Sequence, residues 1–174
     1  MSGPLAADRI AGLLASSAAQ LEAEVRALTA EDAAWHPASG EWCIKEIVGH
    51  LIEAERRGFA GRIRTILAED HPVFSTWDPP AAAAARNDCE RPWENLWAEF
   101  RRLRDESVVL VRPLNAADLE RSGTHPEVGE LTIRDLLHEW VHHDRNHLKQ
   151  ALSNLQARVW PHMGNARRFS QPEP

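Results

Sequence analysis

The sequence predicts an all-α protein that folds as a four-helix bundle. Four long segments repeat apolar residues at the 3.6-residue period of an α-helix, and no segment shows the alternation typical of a half-buried strand. One long and two shorter connections join these segments, an arrangement found in helical bundles. The chain has 174 residues, 43% of them hydrophobic, and is long enough to bury a core without disulfides. We expect a single domain over residues 1–174, with the bundle at about 6–155 and a short C-terminal tail.

Capping and helix-breaking residues define the limits of the predicted helices. Pro92 suits the first turn of the third helix, Pro113 stops that helix, and Thr132 can cap the fourth. Cys43 and Glu46 have the spacing of a capping box at the start of the second helix, although a thiol is a weaker cap than a hydroxyl. The predicted helices cover residues 6–28, 43–67, 92–111 and 133–155, and irregular connections cover residues 70–91 and 121–130.

Charge and hydropathy exclude several classes of protein. The net charge of −6 argues against a general nucleic-acid binder, which normally presents a basic surface. The chain lacks a run of about 18 apolar residues, so we expect no membrane span. It also lacks a basic segment followed by an apolar one at its start, so we expect a cytoplasmic location. Cys43 and Cys89 stand 46 positions apart, outside any CxxC spacing, which favours reduced thiols.

Histidine is the residue type that stands out. Four of the nine histidines fall within ten positions of the fourth predicted helix. On a helical wheel His143 and His147 lie at the edge of the apolar stripe, whereas His138 and His142 face water. The segment from His138 through Glu139 to His142 matches the HExxH pattern of zinc proteases. We reject that interpretation because the pair points outward and no third histidine follows at the required spacing.

The inward pair predicts a metal site more convincingly. His143 and His147 are separated by four positions on one face, a spacing that lets both imidazoles bind one ion. His50, at the edge of the apolar stripe of the second helix, can supply a third ligand. Three neutral imidazoles would leave coordination positions open, as in catalytic sites. The wheel geometry is equally compatible with three ordinary histidines that lie at the edge of the core and bind no metal.

Two acidic residues and one arginine also project toward the apolar stripes. We expect Glu55 to pair with Arg62, because buried charges need partners. For Asp144 two interpretations remain open: an ion pair with an arginine, or a hydrogen bond that orients a ligand imidazole. Glu53 is expected nearer to solvent, without a role. The tryptophans expected to serve packing are Trp35, Trp42, Trp93, Trp97 and Trp140.

Three stretches of the chain resemble the DinB-like (DinB/YfiT) superfamily of metal-dependent enzymes. Residues 42–55 resemble its second-helix motif, residues 121–132 resemble the segment that leads into its last helix, and residues 143–150 resemble its HDxxHxxQ signature. The resemblance implies a four-helix bundle of the DinB/YfiT type, often dimeric. It also implies a divalent ion, typically zinc or nickel, held by His50, His143 and His147.

The resemblance further implies a metal-dependent enzyme acting on a small molecule. The expected activity is transfer of a low-molecular-weight thiol, or hydrolysis, with a water or thiol bound to the ion as the nucleophile. No other catalytic side chain is assigned, and we expect a homodimer that binds neither nucleic acid nor membrane. The alternative is a non-catalytic, stress-related bundle in which the metal or the histidines are structural.

Overall fold

Four long helical segments form the bundle in the computed structural model, which describes residues 3–170. The predicted fold class is confirmed: the described chain is mainly helical, with one small sheet. The bundle consists of α1, of α3 continued by α4, of α6 and of α8. The elements are α1 (Ala7–Val25), α2 (Ala30–Ala33), α3 (Ile44–Glu53), α4 (Ala60–Ala68), α5 (Pro79–Arg86), α6 (Trp93–Val111), α7 (Ala116–Glu120), β1 (Ser122–His125), β2 (Gly129–Thr132) and α8 (Ile133–Val159).

The helices of the bundle do not pack in chain order. Helix α1 packs against α6 and α8, and α3 packs against the same two helices. The first and second long segments therefore lie diagonally across the bundle, and α3 faces α8. Two apolar clusters fill the interior, one around Ile10, Ile63 and Trp140 and the other around Ile47 and Phe100. Among residues 3–170 no helix is both long enough and apolar enough to cross a bilayer.

The second bundle segment is interrupted, so the prediction of one continuous helix over 43–67 is wrong in its middle. A π-helical turn, Ala54–Gly58, separates α3 from α4, and the Phe59 amide donates to the Ala54 carbonyl at 2.8 Å. The wide turn brings the Arg56 carbonyl oxygen against Gly61. A Cβ atom at Gly61 would lie 2.2 Å from that oxygen, so the turn requires glycine there. Such turns within helices are frequent near functional sites.

Both predicted irregular connections contain regular structure, which corrects two further expectations. The crossover at 70–91 holds α5 and the 3-10 turn Asp88–Glu90. The segment expected to be a polar loop forms the antiparallel hairpin of β1 and β2, with Ser122 opposite Thr132. Gly129 closes the hairpin at φ +83°, a backbone conformation that favours glycine. Helix α8 continues to Val159, beyond the expected end at residue 155.

A buried ionic network joins the four bundle segments. The Arg104 guanidinium on α6 donates to Glu55 Oε1 at 2.6 Å, to the Leu14 carbonyl at 2.9 Å and to both oxygens of Asp144. The Ser107 hydroxyl donates to the second oxygen of Glu55. Arg104, Glu55 and Asp144 are each at most 3% exposed. These bonds fix the rotation of α8 relative to α1 and α6.

The ion pairs of the structure correct two sequence predictions about charged residues. Glu55 pairs with Arg104 instead of Arg62, whose guanidinium lies over the Phe74 ring. Glu53 is buried instead of solvent-facing, and its carboxylate accepts from Arg86 at 2.7 Å and also pairs with Arg57. The helical wheel fails here because Arg86, from the crossover, covers a face of α3 that would otherwise meet water.

Candidate metal centre

Three histidines from two facing helices converge on one point. His50 extends from α3, and His143 and His147 extend from adjacent turns of α8. One donor nitrogen from each ring lies within 4.8 Å of the others, and the Nε2 atoms of His50 and His143 are 2.9 Å apart. The structure thus brings together the three histidines that the sequence analysis selected. Their role as metal ligands stays a prediction.

Burial keeps these imidazoles neutral. Burial, followed by the neighbouring histidines, lowers the pKa of His50 to about 3. Burial likewise lowers the pKa of His143 to about 3, with His147 the next contributor. Burial also lowers the pKa of His147, although less strongly. Each ring therefore retains an unprotonated nitrogen at neutral pH, which is the form that binds a metal ion.

The hydrogen bond of His147 fits an ion at the point where the three rings meet, whereas the Nδ1 atoms of His50 and His143 have no partner among the described residues. The Nδ1–H of His147 donates to Gln150 Oε1 at 2.9 Å, which leaves its Nε2 lone pair for a ligand. A single proton shared between the Nε2 atoms of His50 and His143 would satisfy that pair but not His147. An ion accepts all three lone pairs. Two nitrogens bound at about 2.0–2.1 Å to a tetrahedral ion lie about 3.3 Å apart, so the 2.9 Å between the Nε2 atoms of His50 and His143 needs to widen only slightly.

Aromatic rings enclose the histidines. Trp42 contacts His50 at a centroid distance of 5.1 Å and stacks on His147 at 6.3 Å. Trp77, from the crossover, stacks on His50 at 6.1 Å. Phe59 meets the His143 ring edge-on at 5.2 Å. Trp42 therefore does more than the general packing predicted for it, because it forms a wall of the site.

The histidines open into a cavity of about 410 Å³. Its polar lining includes Arg62, Thr76, His125 and Glu127. Arg62 belongs to no ion pair among the described residues, and its Nε has no hydrogen-bond partner there. A neighbouring cavity of about 720 Å³ shares Arg62 and His125 with the first. An unpaired guanidinium beside three converging imidazoles can bind an anionic group of a ligand.

The other histidines and acids of α8 have different contacts. His138 is half-buried instead of facing water: its Nδ1–H donates to the Arg134 carbonyl at 2.8 Å, and its Nε2 accepts from the Leu5 amide at 3.1 Å. His142 is exposed. The carboxylate of Asp144 is bound by Arg104, so the structure favours an ion pair over an imidazole acceptor.

Sequence reasoning did not identify the cavity residues outside the long helices. Arg62 was assigned to an ion pair, and Trp77, His125 and Glu127 received no role. Arg62 lies on α4, but Trp77, His125 and Glu127 stand in the crossover and the hairpin, where no periodicity indicates which way a side chain points. The available signal was the resemblance of residues 121–132, which contain both His125 and Glu127.

The protein is a helical bundle with a candidate three-histidine site. Comparison with known proteins identifies the family to which it belongs. The sequence model of the DinB superfamily matches residues 4–151, and the chain belongs to that superfamily. A protein of Oceanobacillus iheyensis named "Putative metal-dependent hydrolase" is 25% identical over 122 residues, which cover 70% of each chain. The Bacillus subtilis protein YuaE is 26% identical over 140 residues, covering 73% of this chain and 85% of YuaE.

A solved structure shows the same fold. YfiT from Bacillus subtilis superposes with a TM-score of 0.78 at 20% identity, and the match covers 86% of each chain. That protein is described as "a probable metal-dependent hydrolase with an unusual four-helix bundle topology". The non-sequential packing of α1 and α3 in this chain agrees with such a topology.

Proposed function

We propose that this chain is a metal-dependent enzyme in which His50, His143 and His147 hold a divalent transition ion, zinc or nickel. One observation carries the proposal: three imidazoles each place one ring nitrogen within 4.8 Å of the other two, at the wall of a cavity. Three protein ligands leave room for a further ligand on the ion, as in catalytic zinc sites. When bound, the ion supplies a Lewis acid that lowers the pKa of a coordinated water or thiol.

The side chains around the histidines bind and orient the substrate. Arg62 pairs with an anionic group, since its guanidinium has no competing carboxylate among the described residues. Trp42 and Trp77 pack against His50 and limit the rotation of its ring. His125 and Glu127 line the same cavity and are the titratable groups that exchange a proton with the substrate.

Hydrolysis is the reaction that we propose first. Its support is the naming of relatives as metal-dependent hydrolases, together with an open cavity that admits water. Transfer of a low-molecular-weight thiol is the second candidate reaction, because a thiol can occupy the same open position and Arg62 can bind a carboxylate on it. In both cases the substrate is a small molecule of a size that the cavity admits.

Metal analysis of two neighbouring histidine variants tests the proposal. Tag-free wild type, His143→Ala and His142→Ala are each loaded with zinc or nickel, dialysed and analysed for metal. His142 is the matched control, since it is exposed and adjacent on the same helix. We expect His143→Ala to lose about one equivalent per chain, and His142→Ala to lose none. Equal metal content in the three proteins would overturn the proposal.

Activity then separates catalysis from a structural role. The loaded proteins are assayed on ester and amide substrates without thiol, and on electrophiles with a low-molecular-weight thiol. Turnover that His143→Ala abolishes, while folding and His142→Ala activity remain intact, supports an enzyme. Metal binding that raises thermal stability without turnover on either set would favour the structural alternative.

A further inference from the structure

A second cluster of side chains of the types that bind metals lies at the start of α3 and shares no residue with the three histidines. His36, Cys43, Glu46 and Cys89 each offer one donor atom, and all four atoms lie within 4.8 Å of one another. They come from three segments: the connector before α3, the first turn of α3 and the 3-10 turn after α5. We propose that these four side chains form a second site, specific for a zinc-like ion.

The distances among the donors suit one ion. The two Sγ atoms lie 2.9 Å apart, and Cys89 Sγ lies 3.5 Å from His36 Nε2. Two sulfurs on a tetrahedral zinc with bonds of about 2.3 Å stand about 3.8 Å apart. Ion binding thus requires the thiols to separate by less than 1 Å, a movement that side-chain rotation provides.

The orientation of His36 is already that of a ligand. Its Nδ1 lies 2.8 Å from the Glu41 carbonyl oxygen, and because a carbonyl only accepts, Nδ1 carries the proton. With Nδ1 as the donor, the Nε2 atom 3.5 Å from Cys89 Sγ is the ring nitrogen placed to bind an ion. A histidine that binds metal through one nitrogen characteristically donates from the other to a carbonyl or carboxylate.

Burial raises the pKa of the Cys43 and Cys89 thiols, so an ion must displace their protons, and the charged surroundings offset part of that cost. Cys43 is the N-cap of α3, where the helix dipole stabilises negative charge. The buried ammonium of Lys45 donates to the carbonyls of Cys89 and Arg91 at 2.9 and 3.0 Å. Two thiolates, the Glu46 carboxylate and a divalent ion leave one negative charge, which Lys45 neutralises. Glu46 Oε2 accepts from the Cys43 amide at 2.9 Å, which leaves its other oxygen for the ion.

A disulfide would explain less of this arrangement. Cys43 and Cys89 are free thiols, and a bond between them would need neither His36 nor Glu46 nearby. Cysteine and histidine together form the ligand set that zinc prefers over magnesium or calcium. The convergence of an imidazole and a carboxylate on the thiol pair therefore favours an ion.

An ion in this site would connect the crossover to the wall of the histidine cavity. Trp42, next to Cys43, contacts His50, while Cys89 follows Asp88, whose carboxylate pairs with Arg86 and Arg91. The second site would thus cross-link the crossover to the start of α3 at one end of the cavity. Its presence does not depend on the proposed enzymatic function.

Cobalt titration distinguishes this site from the three histidines. Cobalt(II) is added to the reduced, tag-free full chain while the sulfur-to-cobalt charge-transfer absorption is recorded in the near ultraviolet. This absorption reports thiolate ligands, which the histidine site lacks. In wild type, where the histidine site competes for cobalt, we expect the band to saturate by about two equivalents and to disappear on addition of excess zinc. In His143→Ala the band should persist and saturate at about one equivalent.

Two variants at the surface of the cluster complete the test. Cys89→Ser should reduce the band by at least half, and His36→Gln should weaken cobalt binding at least tenfold. His36 has a side chain 45% exposed, so its variant is expected to fold, and circular dichroism verifies this. Absence of the band in reduced wild type would overturn the proposal, as would an unchanged band in His36→Gln. The proposal would also be overturned if the two thiols of the wild type oxidise to a disulfide in air and no cobalt band appears after the disulfide is reduced.

Discussion

Arg104 and Asp144 form a buried ion pair immediately beside the candidate ligand His143. Both side chains are almost inaccessible to solvent, and two guanidinium nitrogens reach the two carboxylate oxygens. The pair joins α6 to α8 one position along the chain from His143, so the rotation that places His143 toward His50 also places Asp144 toward Arg104. The rotation of α8 in the bundle therefore determines both the position of the buried ion pair and that of the candidate metal site.

Removal of Arg104 should severely destabilise the bundle. Arg104→Met leaves the carboxylates of Glu55 and Asp144 buried without their cation, and loss of one partner of a buried pair costs about 3–5 kcal/mol. Arg102→Met is the control, because Arg102 pairs with Glu106 on the exposed face, where a pair contributes about 0–1 kcal/mol. Urea unfolding measures both changes. Similar losses in the two variants would contradict the assigned role of the network.

The cap of α8 predicts a pH-dependent contribution to stability. Hydrogen bonds from the Thr132 hydroxyl and amide lower the pKa of Asp135 below its usual value. The carboxylate therefore stabilises the folded state above about pH 4, the unfolded pKa, and this contribution is lost as the pH falls through the lower folded pKa. Thr132→Ala should cost about 1 kcal/mol at pH 7.

Thermal unfolding across pH tests this prediction. Asp135→Asn should lower stability at pH 7 and approach the wild type under acid conditions. Asp105→Asn, at an exposed position within α6, serves as the control and should change stability little at either pH. If Asp135→Asn stays less stable than the wild type by the same amount down to the lowest pH measured, the carboxylate charge is not the cause.

Gly49 should tolerate no side chain. A Cβ atom there would lie 1.8 Å from Asp88 Oδ2 and 3.2 Å from Arg86 Nε, so Gly49→Ala must displace the crossover from α3. Overpacking of this kind costs about 1–3 kcal/mol. Gly12→Ala is the matched control, because nothing lies within 4 Å of its Cβ position in α1 and alanine favours a helix. In denaturant unfolding, Gly49→Ala should lower the free energy of unfolding and Gly12→Ala should raise it. A change in the same direction for both variants would refute the assigned contact.

Arg62 should determine the affinity for anionic substrates. Arg62→Gln removes the unpaired guanidinium of the cavity, and a hydrogen bond to a charged group contributes about 1.5–3 kcal/mol. We expect KM for a carboxylate-bearing substrate to rise at least tenfold, with a smaller change for its neutral analogue. Arg64→Gln, at an exposed position on the same helix, is the control. An equal rise in KM for both substrates would contradict the assigned charge recognition.

The bundle and its histidine cluster could be predicted because both follow from helical periodicity. His143 and His147 share a face by their spacing alone, and His50 lies at the edge of an apolar stripe. The partner of Glu55 could not be predicted in the same way. A helical wheel gives the direction of a side chain but not the residue opposite, and Arg104 stands 49 positions from Glu55.

The hairpin could not be predicted because contacts with a distant segment of the chain stabilise it. Its strands have four residues each and little apolar alternation. The crossover supports the hairpin instead: the Phe74 amide donates to the Thr124 carbonyl at 2.9 Å, and the Thr124 amide donates to the Pro72 carbonyl at 2.8 Å. Such contacts between distant segments leave no pattern in either segment alone. The expected dimer likewise stays a prediction, since it depends on the family resemblance.

The most direct test of the central claim is anomalous diffraction from crystals of the zinc- or nickel-loaded protein. We predict a peak about 2.0–2.1 Å from the Nε2 atoms of His50, His143 and His147. No peak at that point in fully loaded crystals, or an ion bound only at His138 and His142, would contradict it.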